Sequence, residues 1–251
     1  MAVVTFALVF LRVTGVFVTA PVLGGRFLPV QARVALSAGI AYLLSQVVND
    51  GPAVSGPVEL VLAGTREVIT GMALGFMVML IFAAVQLAGQ VIDMEMGFGL
   101  ANVMDPLLQS WVPLMGSFYY IIALVLFMSV DGHHVLLMAL ARSYEVAPIG
   151  GFFIPQETAR TMAYAARELW RLAGLIAMPV LGAVFLTTVG LGVVSRAVPQ
   201  MNMFVVGLPV KMLSGSALVL LSLPVVIGIL INRFSGMDRV LVGLLSAWGQ
   251  R

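Results

Sequence analysis

Cysteine is absent from this 251-residue sequence, and charged residues are scarce. Without cysteine, the chain forms no disulfide and offers no thiolate to a metal. Charged residues make up 10% of the chain and hydrophobic residues 61%, a balance that excludes an ordinary soluble domain and indicates a membrane protein. Lys211 is the single lysine, and the other twelve of the 13 basic residues are arginines. They are scattered, so the sequence predicts no nucleic-acid partner.

The common signatures of catalytic and metal sites are also missing. The sequence contains no H-E-x-x-H and no G-x-S-x-G. The pair His133-His134 offers two imidazoles, but a metal site needs further ligands in suitable geometry. We therefore predict no enzyme activity, no metal and no cofactor. Asp131 is instead expected to cap a helix that begins at these histidines.

Long apolar segments dominate what is present. A helix needs about 20 apolar residues to cross a membrane, so the chain has room for about six spans. The segments are Val3–Leu23, Ala32–Val48, Pro57–Ile92, Val112–Val130, Leu172–Val194 and Pro209–Ile231. They predict an all-α fold. As one helix, the third segment would be about 50 Å long, which exceeds the bilayer core of about 30 Å. It is therefore expected to break or to lie partly outside lipid.

Several charges lie inside these apolar segments. Arg12 falls in the middle of the first, and Arg66 and Glu67 fall in the third. Adjacent residues on a helix point in different directions, so Arg66 and Glu67 each need a partner elsewhere. An isolated charge at bilayer depth costs about 2.5–3.5 kcal/mol even on the milder scales. Basic residues between the segments favour neither side of a membrane, so we expect a non-standard membrane topology.

The stretch from Gln90 to Pro113 interrupts the apolar pattern. It contains three acids, two glycines and an Asp-Pro pair, which do not suit a lipid-facing helix. It is also too apolar for a freely solvated loop. Two interpretations remain open from the spacing. The stretch is either packed inside a protein assembly, where it lines or closes a pore, or it is an interfacial loop with Trp111 at the lipid headgroups.

A polar hinge between the last two apolar segments resembles the signature of a known family. It reads SRAVPQMNMF from Ser195, followed by GLPVK from Gly207. This resembles the FliR/SctT family of type III export gate proteins, in its flagellar branch. Other stretches are similar to family motifs and occur in the same order. They are Arg12 to Pro21 (R-x-x-G), Glu67 to Gly75 (E-x-x-x-G-x-x-x-G), Gly89 to Pro106, Gly132-His133 and Pro148-x-Gly150.

This resemblance, which covers nearly the whole chain, implies a subunit of a closed channel in the bacterial inner membrane, at the flagellar basal body. One copy would join several copies of FliP and FliQ homologues, with an FlhB homologue beside them. Unfolded flagellar proteins would be the export substrates in transit. Residues 1–151 would form an N-terminal helical-hairpin unit resembling FliP, and residues 152–251 a C-terminal unit resembling FliQ.

The resemblance also implies functional residues. The family's plug loop maps to residues 97–110, where the sealing residues would be Gly97, Phe98, Gly99, Leu100, Val103, Met104, Asp105, Pro106 and Leu107. Gly97 and Gly99 would let this loop swing. Lipid cannot satisfy buried polar groups, so we expect contacts between subunits at several polar side chains. These are Arg12, Arg66, Glu67, Arg196, Gln200 and Asn202.

Two other functions fit part of the pattern. A secondary transporter for a small solute would suit broken helices with charges at mid-membrane, although no internal inverted repeat is evident. The second is the equivalent subunit of a virulence type III secretion system.

Overall fold

A computed structural model of the chain describes residues 2–24, 29–48, 56–99, 113–150, 156–198 and 202–249. Every regular element in these ranges is an α-helix, which confirms the all-α prediction. The helices are α1 (Ala2–Thr19), α2 (Pro21–Gly24), α3 (Val30–Ser45), α4 (Pro57–Met96), α5 (Leu114–Ser129), α6 (Gly132–Val146), α7 (Gln156–Ala197), α8 (Met203–Ser235) and α9 (Met237–Gly249).

The predicted apolar segments fall on helices, and three of these helices, α4, α7 and α8, extend beyond the predicted segment. The third segment does not break: α4 is 40 residues long, about 60 Å along its axis. The fifth segment lies on the 42-residue α7, which begins well before that segment and continues through Pro179. Helix α8 likewise contains Pro209 and Pro224. Apolar helices tolerate proline because neighbouring groups satisfy the freed carbonyls.

By length and composition, three stretches could cross a membrane: Pro57–Met96, Arg160–Ala197 and Val205–Trp248. Helices α5 and α6 add a fourth if they count as one span, bent by 65°. Helices α1 and α3 are apolar but shorter. The described helices therefore depart from a set of six equal spans.

The chain forms two compact units that are interleaved along the sequence. Unit 1 comprises Met1–Ile81, Phe127–Arg167 and Arg233–Arg251, and unit 2 comprises Phe82–Leu126 and Glu168–Asn232. The division into FliP-like residues 1–151 and FliQ-like residues 152–251 concerns likeness to other proteins, and it stays a prediction.

Unit 1 is built around α1. This helix buries one face, at Val9, Val13 and Val16, with the three-to-four-residue spacing of an amphipathic helix. It packs against α3, and α6 packs against α9. Near the end of α5, Phe127 meets Phe234 edge to face, with 5.4 Å between the ring centroids.

The turn between α5 and α6 departs from the prediction for Asp131. The residue occupies the N-cap position of α6, but its side chain makes no capping hydrogen bond. Its backbone is left-handed, with φ of 54°, whereas a capping side chain needs an extended backbone. The backbone carbonyl of Asp131 instead accepts the N–H of His134 at 2.9 Å.

Unit 2 contains the end of α4, the start of α5, and most of α7 and α8. Its core side chains also recur at helical spacing, with Ile176, Val180 and Val184 on α7. The Thr187 hydroxyl lies 3.2 Å from the Ser214 hydroxyl and joins α7 to α8. Each unit contains one feature that is a candidate functional region, and the two are described separately below.

Candidate functional site

A close crossing of α1 and α4 in unit 1 brings the first group of residues together. A Cβ atom at Gly15 would lie 2.6 Å from the carbonyl oxygen of Val68, and one at Gly71 would overlap the carbonyl of Arg12. A Cβ at Gly75 would lie 2.9 Å from the carbonyl of Val16. Only residues without a side chain let two helix backbones approach this closely. The glycines of both sequence motifs therefore set the crossing.

At this crossing, Arg12 and Glu67 form a buried ion pair. Arg12 Nε donates to Glu67 Oε2 at 2.6 Å, and Nη2 donates to Oε1 at 3.1 Å. Both side chains have 0% relative exposure. This bidentate geometry, with two parallel hydrogen bonds, is the stronger form of an arginine–carboxylate contact. Each charge therefore has the partner that a buried charge requires.

The remaining donors of Arg12 reach the end of α6. Nη1 donates to the Ser143 hydroxyl at 3.0 Å, and Nη2 donates to the Ala147 carbonyl at 2.9 Å. The guanidinium carbon also lies 4.0 Å from the centroid of the Tyr144 ring. Arginine accepts this many partners because its planar group carries five donors. One side chain thus ties α1 to both α4 and α6.

Gly150 completes the arrangement, which we call the polar cluster: Arg12, Glu67, Ser143, Ala147 and Gly150. Its N–H donates to Glu67 Oε1 at 2.9 Å, and its carbonyl accepts from Arg66 Nη1 at 2.9 Å. Its φ of 72° is a left-handed value that favours glycine. The Pro148-x-Gly150 motif therefore presents a backbone amide to the buried carboxylate.

The polar cluster corrects part of the prediction of contacts between subunits. Arg12 and Glu67 are enclosed within unit 1, and the partners described above come from the same chain. The helix crossing places Glu67 beside Arg12, so no second subunit is needed to satisfy either charge. Arg66, which is exposed, also bonds within the chain, to Gly150.

The polar residues predicted at the hinge are exposed where the structure describes them. Arg196 and Asn202 are exposed on this chain, and Gln200 lies outside the described residues. Contacts of these three with other subunits stay a prediction.

The second feature is in unit 2, where α4 ends. The N–H of Gly97 donates to the Met94 carbonyl at 3.2 Å, and the N–H of Phe98 donates to the Asp93 carbonyl at 3.0 Å. Gly97 has φ of 90°. These two bonds and a left-handed glycine form a Schellman motif, which ends a helix in a defined geometry. Gly97 therefore fixes the direction in which the chain leaves α4, and the swinging of the loop stays a prediction.

The carboxylate of Asp93 binds the first turn of α5. Its two oxygens each lie 3.0 Å from the N–H of Met115, and Oδ2 accepts the N–H of Gly116 at 3.3 Å. Asp93 has 0% exposure. The amides at a helix start lack acceptors within the helix and carry partial positive charge, so a carboxylate stabilises them.

Glycines on α4, α5 and α8 hold this region together. A Cβ at Gly89 would overlap the backbone of Gly116, so α4 and α5 nearly touch. A Cβ at Gly215 on α8 would lie 2.6 Å from Met96 Cγ. Met96 is fully buried and fills that notch. We call Asp93, Met96, Gly97, Met115 and Gly116 the loop base.

Most of the predicted plug residues follow Gly97 in the sequence. Gly97, Phe98 and Gly99 are described, and Phe98 is half-buried. The others are outside the described residues: Leu100, Val103, Met104, Asp105, Pro106 and Leu107. Their sealing role stays a prediction.

Sequence reasoning missed some members of both features. Asp93 is one of the three acids in the stretch from Gln90 to Pro113, but nothing local places it beside Met115. Ser143 carries no distinguishing pattern. Gly150 belongs to the Pro148-x-Gly150 motif, which gives no sign of its contact with Glu67.

Apolar helices, a buried polar cluster and glycine-set crossings define a helical membrane protein. The chain belongs to the family described as "Bacterial export proteins, family 1", whose sequence model matches residues 3–237. It is similar to proteins named "Flagellar biosynthetic protein FliR". The identity to that of Bacillus subtilis (strain 168) is 32%, over 97% of this chain and 95% of the relative.

Two further relatives extend this comparison. The flagellar biosynthetic protein FliR of Escherichia coli (strain K12) is 29% identical, over 94% of this chain and 90% of its own length. The "Yop proteins translocation protein T" of Yersinia pestis is 29% identical, over 86% of this chain and 85% of its own length. The family and these relatives support flagellar type III protein export as the function.

Proposed function

We propose that the chain is the FliR-type subunit of a flagellar type III export gate, a channel component and not an enzyme. The observation that carries this proposal is the family match over residues 3–237, together with the FliR relatives of similar length. Unfolded flagellar proteins are the cargo. The complex lies in the bacterial inner membrane, at the flagellar basal body.

The partners are FliP and FliQ homologues, with an FlhB homologue nearby. The apolar windows in Arg160–Ala197 and Val205–Trp248 have only 33% and 28% of their residues buried within the chain, against 61% in Pro57–Met96. Phe185, Leu186 and Leu221 are among the exposed apolar side chains there. Apolar surface of this extent needs lipid or protein against it. In our proposal, partner subunits supply most of that cover.

The loop over residues 97–110 closes the channel at rest. The loop base supports this role because it joins the end of α4 to the first turn of α5, the two helices that flank the loop. The loop itself carries Phe98, Leu100, Val103, Met104 and Leu107. Methionine adapts its shape readily, and an apolar constriction excludes water and ions. Passing cargo displaces the middle of the loop, while the base stays in place.

Deleting Gly99–Met104 tests this function. The change removes part of the seal and leaves the loop base intact, so we expect ion leakage through assembled gates and reduced motility. Leakage is measured as ion flux across the membrane of cells that express the gate. A variant with the same six residues in scrambled order retains the apolar composition and is expected to leak little. Assembled gates that carry the deletion without added leakage would refute the seal.

Arg196 tests the proposed contacts between subunits. Truncating one partner of a buried charged contact costs about 2–5 kcal/mol. We therefore expect Arg196→Gln to reduce co-purification of the FliP and FliQ homologues by about tenfold or more. Arg196→Lys keeps the charge and should retain more of both. Equal recovery of the partners with the wild-type chain and with Arg196→Gln would rule out this contact.

Similarity to the Yop translocation protein T favours one second candidate, the same gate subunit in a virulence secretion system. A strain without the chain separates the two functions, because loss of motility indicates the flagellar one. Family membership leaves the solute-transporter interpretation without support.

A further inference from the structure

The N-terminal third of α7 carries an exposed row of basic and aromatic side chains. Its members are spaced by four, three and four residues, so they lie on one face of the helix. All of them are exposed on this chain. We call this row the arginine stripe, and its members are Arg160, Tyr164, Arg167 and Arg171.

The arginine stripe concentrates positive charge on a chain that has little charge of either sign. Residues 160–171 contain three arginines and a single acid, Glu168. Glu168 Oε1 lies 3.5 Å from Arg171 Nη1, and 66% of the Arg171 side chain stays exposed. One carboxylate cannot neutralise three guanidinium groups, so the stripe fits a negatively charged partner.

The sequence of α7 changes from polar to apolar directly after the stripe. From Leu172 to Val194 the helix contains no charged residue. This part is about 35 Å long, enough to cross a bilayer core of about 30 Å. By length and composition, Arg160–Ala197 is one of the stretches that could cross a membrane. A span formed by the apolar part places the stripe at the membrane surface.

Two aromatic side chains on this stretch favour a lipid surface over an acidic protein. Tyr164 lies in the stripe with 63% exposure, and Trp170 lies next to Arg171 with 69% exposure. Tyrosine and tryptophan are enriched at the headgroup level of membranes, because each combines an apolar ring with a polar group. Arginine is suited to the same level, because its stem packs on apolar surface while its charged end reaches the headgroups. Exposed aromatic and arginine side chains at the start of an apolar helix are therefore typical of contact with headgroups.

We propose that the arginine stripe binds the headgroups of anionic phospholipids at the membrane surface. Anionic lipids give the surface a negative potential that attracts basic side chains. The planar guanidinium group also donates paired hydrogen bonds to phosphate oxygens. This contact fixes the depth of α7 in the membrane. Partner subunits can still cover the apolar part of α7, because the stripe precedes that part.

Fluorescence quenching by brominated lipids tests this contact in the purified complex. The chain contains no cysteine, so Ala163→Cys gives it a single labelling site, at an exposed residue next to Tyr164. The labelled complex is reconstituted into phosphatidylcholine vesicles that hold the same fraction of either brominated phosphatidylglycerol or brominated phosphatidylcholine. Complex that retains Ala163 gives the background from labels on other subunits. Each arginine near an anionic surface favours it about fivefold, so quenching by the phosphatidylglycerol should be stronger by about fivefold or more.

Substitution of the three arginines identifies the source of this preference. The triple variant Arg160→Gln, Arg167→Gln and Arg171→Gln should be quenched equally by the two lipids. Lysine at the same three positions keeps the charge and should retain most of the preference. Arg142→Gln removes an exposed arginine from α6 and should leave the ratio unchanged. An unchanged ratio in the triple glutamine variant would overturn the proposal.

The complex with Ala163→Cys alone provides a test that does not depend on assembly of the triple variant. Salt screens exposed charges, so the preference for phosphatidylglycerol should decline as the salt concentration rises. Equal quenching by the two lipids at low salt would overturn the proposal. Weak quenching by both lipids would also overturn it, because the stripe would then be covered by protein, as an acidic partner subunit would do.

Discussion

Replacing Glu67 with glutamine is expected to lower the stability of unit 1 by about 3–5 kcal/mol, the usual effect of breaking a buried ion pair. The substitution leaves the Arg12 guanidinium charged at a site with 0% exposure. The Ser143 hydroxyl and the Ala147 carbonyl are neutral and cannot replace the carboxylate. Marginal stability makes a loss of this size sufficient to deplete the folded chain. Chain abundance in membranes and the melting temperature of the purified complex measure the effect.

Three further variants provide the comparison for Glu67→Gln. Arg12→Met should be as damaging as Glu67→Gln, since it leaves the carboxylate unpaired. Arg142→Met removes an exposed arginine of the same unit and should change stability by less than about 1 kcal/mol. Arg12→Met with Glu67→Leu should recover part of the loss, because apolar pairs often replace buried ion pairs. Near-wild-type abundance of Glu67→Gln would show that the ion pair is not needed for folding.

Replacing Gly71 with alanine is expected to have the next largest effect, about 3 kcal/mol. A Cβ at this position would overlap the carbonyl of Arg12, and overpacking of this kind costs about 1–3 kcal/mol. We expect the upper end because the obstructing atom is backbone and cannot rotate away. The crossing of α1 and α4 must widen, which also separates Arg12 from Glu67. Thermal unfolding of the purified complex measures the loss.

Gly39→Ala is the control for this substitution. Gly39 is exposed on α3 of the same unit, and a Cβ there would have no neighbour within 4 Å. Alanine favours a helix over glycine by up to about 1 kcal/mol, so this variant should be neutral or slightly more stable. Equal melting temperatures for Gly71→Ala and Gly39→Ala would contradict the close crossing.

The helical architecture was predictable because composition and length decide it. Each apolar segment became a helix, since runs such as Pro57–Ile92 have no other way to satisfy their backbone in an apolar setting. The extents of the helices were less predictable. Proline commonly interrupts a helix, yet α7 continues through Pro179, because tertiary packing outweighs a local signal.

Site residues could be predicted from the sequence only where they belong to one short motif. The spacing of Glu67, Gly71 and Gly75 placed them on one helix face, and the structure shows what that face meets. The partner of Glu67 was not predictable, because Arg12 is 55 residues away and only the fold brings it near. The contact between Asp93 and Met115 was not predictable for the same reason, because the two residues are distant in sequence. A carboxylate that caps a distant helix has no signature in its own neighbourhood.

A structure of the purified complex with its partner proteins would show what surrounds the chain. We expect residues 97–110 to lie across the central passage. We also expect FliP and FliQ homologues to cover the exposed apolar faces of α7 and α8. A chain surrounded only by lipid, with residues 97–110 remote from any passage, would contradict both expectations.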